Sequence, residues 1–478
     1  MQNGTLLLEA ISLEPFILGI EALDKLLGNF IVPPYVMIVA GHPGSGKTTL
    51  ASTICYHNAL RGHKCIYISF QEDKEKLFTF MGRLGLDLRG VEAKGLFKFI
   101  RIPVTLDMES SVEMLKLIGM EGYDIVVVDS INALLASVGD DAAKRAWLQN
   151  YFYNLPQVTN GLGVLIAEVP YGQEGVQLGG IEFVADAILV MKHRIEDEFL
   201  VRLLEVRKVR GAPASLAEVP FTISGGRGIE VMVPPVLEDV ALESGEARVT
   251  CDVLRKTLNH LHRGQVVNFV HPPDSDHPEL LTLLLSIAVE NGMRVLIISY
   301  RYTKEVLKES IVRTLTAHGI DSKTAEEIVN RYVVFRGINP FSYNETQLVA
   351  KELELVDSAD ADIVVFHSVC LVRHLTDIAK HVKDLYNQMN YLRNRGKLVA
   401  RIGAFTDDLT YRLESRVADA VMRFEHEGGN VGKIGYKAFI SRRNRKPCIV
   451  TQNEMEECFA EAVKSIKAKL LEGKVSKQ

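Results

Sequence analysis

The run Gly41-His42-Pro43-Gly44-Ser45-Gly46-Lys47-Thr48 fits the pattern GxxxxGK[ST]. Residues of these types at this spacing hold phosphate. The glycines let backbone N–H groups close around an anion at a helix N-terminus. Lys47 brings a point charge to the β- and γ-phosphates of a nucleotide, and the Thr48 hydroxyl is a ligand for Mg²⁺. Gly44, Ser45, Gly46, Lys47, Thr48 and Thr49 are therefore candidate nucleotide-binding residues. Asp129 closes the apolar run YDIVVVDS, and a carboxylate at a strand's C-terminal edge is placed to meet the same Mg²⁺, directly or through water. A second acidic group follows KCIYISF, where the chain reads Gln71-Glu72-Asp73. Glu72 is the candidate base for activating water; the competing reading is an acidic helix start that suits the helix dipole.

The elements around these residues explain their spacing. YVMIVA (35–40), KCIYISF (64–70), YDIVVVDS (123–130), GVLIAEV (163–169) and DAILVMK (186–192) are short, apolar and rich in β-branched residues. Such runs suit parallel strands covered on both faces, and the intervals between them are long enough for crossover helices. The pattern stops near Val233-Pro234-Pro235 and then repeats. RGHKCIYISF returns as NGMRVLIISY (291–300), YDIVVVDS as ADIVVFHS (361–368), and FVADAILV as RVADAVMRF (416–424). The fold class is α/β: two tandem domains, each a mostly parallel sheet with helices on both faces. Residues 1–235 carry the phosphate site, 245–460 form the repeat, and 461–478 read as a charged, helix-prone tail that frays.

Taken in order, LGIEALDKLLG (18–28), the phosphate loop, Gln71-Glu72, MGRLGLDL (81–88), YDIVVVDS, FVADAILV and EVRKVRG (205–211) resemble the KaiC-type ATPases of the RecA superfamily. The resemblance covers the first domain and continues, degenerate, through the second. It implies two RecA-like P-loop domains, ATP and Mg²⁺ as cofactors, and a homo-oligomeric ring, often hexameric, with ATP between neighbours. It also implies a KxRG finger, here Lys208-Val209-Arg210-Gly211, reaching the neighbour's γ-phosphate. Two features depart from the family pattern. Gln71 stands where the first of two adjacent acids is usual, and a Gln holds water without taking its proton. Glu182 and Phe183 stand where the family's phosphorylated Ser/Thr pair lies, so autokinase activity is not expected.

In the repeat the loop becomes His271-Pro272-Pro273-Asp274-Ser275-Asp276-His277, Asp129 becomes His367, and Gln71-Glu72 becomes Arg301-Tyr302. Prolines lack N–H donors and aspartates repel phosphate, so ATP is not expected there. A metal site from His271, His277 and His367 is the lesser alternative. Ser415 lies near the slot of the phosphorylated pair, without ATP beside it. Arg442 to Lys446 form a basic run for a neighbouring subunit, an anion or simply solvent.

With 55 basic and 60 acidic residues the net charge is -5, and 47% of the 478 residues are hydrophobic. That balance fits a globular chain and discourages bulk coating of nucleic acid. The expectation is a cytoplasmic protein with neither signal peptide nor membrane span. The six cysteines, none in a CxxC pair, read as reduced, buried thiols.

Three functions compete: a ring-forming ATPase, slow because of Gln71, with a regulatory or structural second domain and a regulatory protein partner; a recombination ATPase; and an ATP-dependent scaffold with little hydrolysis. Strong DNA binding is not favoured. The expected pore-loop stretch, Pro170 to Val184, has no Lys or Arg and contains Glu174 and Glu182.

Overall fold

The computed structural model describes residues 16–27, 30–102, 121–138, 142–170, 181–196, 198–211, 218–231, 245–258, 261–275, 277–375, 377–428, 435–443 and 445–475. The chain divides into two compact units, Met1–Val233 and Pro234–Gln478.

The strands of the first unit are β1 (Tyr35–Gly41), β2 (Cys65–Ser69), β3 (Phe97–Arg101), β4 (Ile125–Asp129), β5 (Leu162–Glu168), β6 (Ala187–Glu196), β7 (Phe199–Val209), β8 (Glu218–Ser224) and β9 (Gly228–Val231). They form one sheet in the order β3-β2-β4-β5-β1-β6-β7-β8-β9. The first six positions are parallel and the rest antiparallel. The apolar runs sit centrally because both faces are covered. On one face Met37 and Val39 pack with Leu50 and Ile54 of the helix Lys47–Leu60. On the other, Val36, Ile38 and Ala40 pack with Phe152 and Leu155 of the helix Ala142–Thr159.

The second unit opens with a two-stranded sheet, β10 (Glu246–Ala247) with β11 (Leu261–His262). Its main sheet comprises β12 (Val266–His271), β13 (Val295–Ser299), β14 (Val333–Gly337), β15 (Ile363–His367), β16 (Leu398–Ala404), β17 (Ala420–Glu427), β18 (Gly435–Arg442) and β19 (Cys448–Thr451). The order β14-β13-β15-β16-β12-β17-β18-β19 repeats the first sheet strand for strand, short of its last.

The repeat is held by matching aspartates. Asp186 exchanges two hydrogen bonds with Val36, its N–H donating to the carbonyl at 2.8 Å and its carboxylate accepting from the Val36 N–H at 3.0 Å. Asp419 does the same with Val266, both at 2.8 Å. The carboxylates of Asp124 and Asp362 likewise accept from the N–H groups of Lys64 and Arg294. These acids pin the chain at the starts of β1, β2, β12 and β13, so the repeated sequence VAD records backbone pairing.

The interiors differ. Ile38 and Leu165, neighbours across β1 and β5, correspond in register to Asn268 and Arg401. Arg401 belongs to a buried ionic cluster around Glu414, which accepts from Arg373 in a fork at 2.9 and 2.6 Å and lies 3.0 Å from His381 Nε2. These cations hold the Glu414 carboxyl well below the usual range against its burial.

Two expectations change. Residues 461–475 form no separate tail: the helix Gln452–Val475 runs through them, and Ala462, Val463 and Ile466 are buried in the second core. Its apolar face, hidden among charges in the sequence, holds it down. The cysteines are not all thiols. Cys251 and Cys458 form a disulfide across 207 residues, and Cys370 and Cys448 are only partly buried. Long-range packing of the last helix creates this pair, which no local spacing announces. Closing so long a loop contributes about 2–4 kcal/mol. Cys251→Ala should therefore lower the thermal midpoint measured without reductant by several degrees and make it insensitive to dithiothreitol.

Candidate nucleotide site

The phosphate loop joins β1 to the helix Lys47–Leu60 and needs glycine twice for different reasons. Gly46 caps the helix at φ 106°, a left-handed conformation that costs an L side chain energy. A Cβ on Gly41 would lie 2.2 Å from the Met191 carbonyl oxygen, so glycine lets β1 stay paired with β6 up to the loop. In the second unit His271 fills that slot, and the ladder to β17 ends one residue earlier, at Val270.

Lys47 is 7% exposed, and its Nζ donates to the His42 carbonyl at 2.9 Å. Burial pushes its pKa down, while the charges of Glu168 and Asp129 pull it up. Ser45 Oγ is fully buried with no hydrogen-bond partner, a polar atom that an entering anion would satisfy. Thr49 is buried on the helix's first turn.

Thr48 and Asp129 lie 81 residues apart in sequence and meet in space: Thr48 Oγ1 donates to Asp129 Oδ2 at 3.1 Å. Tyr67 donates to the same oxygen at 2.6 Å. Burial pushes the Asp129 pKa above the usual carboxylate range, against these two hydrogen bonds and the Lys47 charge. The donors fit the cofactors named from sequence. Hydroxyl and carboxylate are hard oxygen ligands suited to Mg²⁺, and the loop's lysine and orphaned Ser45 suit phosphate.

Gln71 and Glu72 follow β2, whose last residue, Ser69, is in register with Asp129. Ser69 Oγ accepts from both of their N–H groups, at 3.3 and 2.9 Å, which fixes this turn beside the carboxylate. The Glu72 carboxylate is partly exposed and 3.5 Å from Lys76. Lys208 and Arg210 both engage the segment before β6. Lys208 Nζ donates to the carbonyls of Glu182 and Phe183 at 3.4 and 3.3 Å, and Arg210 bonds Asp186 at 3.0 Å. Lys208 is the penultimate residue of β7 and Arg210 lies just past its end. Of the expected pore-loop stretch, residues 171–180 lie outside the described residues.

Sequence reasoning missed Tyr67 and Glu168. Glu168 ends β5 in register with Gly41, and its backbone is clamped by the Asn132 side chain through bonds of 2.7 and 3.0 Å. A lone acid closing the apolar run GVLIAEV was the available signal. Tyr67 gave none, since a tyrosine inside a strand reads as core.

The second unit's slots are filled differently. Counting on in sequence from the counterparts Gly41 and His271, His277 falls at the number of Lys47, although the helix after it starts two residues later, at Glu279. Its ring stacks on Phe424 at 4.4 Å and meets Tyr436 edge-on at 5.1 Å. Asp274 is 2.8 Å from His426. His367, in the Asp129 slot, lies near the hydroxyls of Ser299 and Ser368.

Strand, glycine loop, helix and strand-end carboxylate in this topology define a RecA-type P-loop domain. The model of the KaiC ATPase family matches residues 17–236, so the first unit is similar to a KaiC-type ATPase domain. The chain is 26% identical over 337 residues to the circadian clock protein KaiC3 of Synechocystis, covering 66% of this chain and 65% of that protein. It is 26% identical over 240 residues to a UPF0273 protein of Pyrococcus horikoshii, covering 46% of this chain and 94% of the relative. Against the circadian clock oscillator protein KaiC of Picosynechococcus it is 26% identical over 211 residues, 44% of this chain and 41% of that one. It thus spans just under two thirds of KaiC3 and under half of the oscillator protein. Among the described residues no helix is long and apolar enough to cross a membrane.

Proposed function

We propose that the first unit binds ATP with Mg²⁺ and hydrolyses it slowly, within a homo-oligomeric ring whose second unit is a structural or regulatory layer in a signalling role. The observation that carries this reading is the contact between Thr48 and Asp129, brought together beside a buried lysine. In it, Gly44, Ser45, Gly46, Lys47 and Thr49 hold the phosphates, while Thr48 and Asp129 hold the cation, which when bound neutralises charge on the β- and γ-phosphates. Gln71 orients a water and Glu72 takes its proton as the water oxygen bonds to the γ-phosphorus and ADP leaves with the bridging oxygen. Lys208 and Arg210 act on the neighbour's nucleotide, exchanging their contacts with the 182–186 segment for it.

The test uses the full chain. Calorimetry should find one ATP per chain in Mg²⁺, with phosphate released on incubation and a larger native mass when ATP is present. Absence of binding overturns the reading. A mixture of Arg210→Ala and Glu72→Ala proteins should regain part of the turnover that each lacks, because some interfaces combine an intact finger with an intact base. No recovery in rings shown to mix sinks action in trans. The scaffold reading, favoured by Gln71, predicts binding and assembly with negligible phosphate release.

A further inference from the structure

Asp129 Oδ2 receives hydrogen bonds from Thr48 and from Tyr67, and the Tyr67 bond is the shorter, 2.6 Å against 3.1 Å. Tyr67 lies inside β2, in register with Val127, two residues before the carboxylate. Its ring is fully buried and stacked on Phe99 at 5.9 Å with an interplanar angle of 15°. Close packing holds the ring in one rotamer, which aims its hydroxyl at one oxygen.

The two units test what the fold itself requires. Where a residue serves the backbone, the repeat keeps it. Asp186 and Asp124 persist as Asp419 and Asp362, and Ser69 persists as Ser299, whose Oγ accepts from the N–H groups of Arg301 and Tyr302 as Ser69 does from Gln71 and Glu72. Where a residue serves the site, the repeat discards it: Lys47 gives way to His277, Asp129 to His367, and Glu168 to Ala404. Tyr67 falls in the second group. Its counterpart in the second unit is Ile297, 1% exposed in an intact core. The core at this point accepts an aliphatic side chain, so the hydroxyl is kept in the first unit for the carboxylate it holds.

We propose that Tyr67 is a positioning residue of the cation site, its hydroxyl fixing Asp129 Oδ2 beside Thr48. Holding one lone pair of that oxygen selects the carboxylate's rotamer and leaves its remaining lone pairs for a divalent cation. The inference rests on the nucleotide-binding reading above, and the experiment separates the two.

Tyr67→Phe in the full chain keeps the ring and its stacking and removes only the hydroxyl. Mn²⁺, a paramagnetic probe for the Mg²⁺ site, is titrated in the presence of ADP and followed by EPR. ADP affinity in EDTA and the thermal midpoint without ligand are measured alongside. Expected are Mn²⁺ affinity lower by about tenfold, metal-free ADP affinity unchanged within about twofold, and a folded protein. Tyr67→Ile, which copies the second unit, should give the same pattern. Wild-type Mn²⁺ affinity in Tyr67→Phe overturns the proposal, as does a parallel loss of metal-free ADP binding, which marks general disruption. Lys47→Ala serves as control: if it retains ADP in EDTA, the phosphate-loop reading has failed instead.

Discussion

Lys47→Ala should abolish nucleotide binding throughout the chain, with affinity falling by about 10²–10³ and the binding stoichiometry going to zero. Lys47 sits buried with the charges of Glu168 and Asp129 nearby. Removing the cation leaves these carboxylates facing a polyanion. A single like-charge pair at 4 Å costs about 4 kcal/mol at an effective dielectric of 20, already a thousandfold in affinity. The Ser45 and backbone donors remain, but without the counter-charge they cannot offset that repulsion. Calorimetry with ATP and Mg²⁺ checks the result. Residual tight binding at one nucleotide per chain would place a second site beyond the loop, and the reading of the second unit as empty would fall.

Asp129→Asn should separate stability from function. Burial raises the pKa of this carboxyl, so the fold prefers it protonated. A group with a raised folded-state pKa lends its stability below its unfolded pKa and loses it as pH rises through the folded value. At neutral pH the apo protein therefore carries an unfavourably buried charge, and the amide removes it. Thermal scans should show the variant a few degrees more stable than wild type at neutral pH, the gap closing toward acid. Phosphate release should fall by about 10²-fold or more, because an amide is a poor ligand for a hard dication. The same pKa sets the wild-type acid limb: cation binding, which needs the ionised form, weakens as pH falls through a value above the ordinary carboxylate range. Equal stability at all pH, or an acid limb at the usual carboxylate position, would contradict this account.

Some of this site could be read from residues alone and some could not, for physical reasons. The phosphate loop is contiguous, so its backbone requirements are written in adjacent letters. Asp129 ends an apolar run, and its place at the strand's edge follows from that run. The repeat was visible because Asp186 and Asp124 pin strands by local pairing that both units need. Tyr67 and Glu168 are different. Their roles arise from register between strands distant in sequence, which one strand's composition does not encode. The disulfide depends on the last helix packing back on the start of its unit, again a long-range fact. Lys208 and Arg210 were named through family resemblance. The chain by itself gives them partners at Glu182, Phe183 and Asp186, which their spacing did not announce.

The histidine in the lysine slot makes the second unit's loss a ratchet. His277 is wedged against Phe424 and Tyr436, and Asp274 is tied to His426. Restoring a lysine at 277 would forfeit the aromatic stack and gain no phosphate, since Pro272 still withholds its N–H group and His271 still stands where Gly41 lets β1 stay paired up to the loop. A path back would have to cross several such steps at once, so the two halves of this chain can go on diverging in chemistry while the aspartates they share keep their sheets alike.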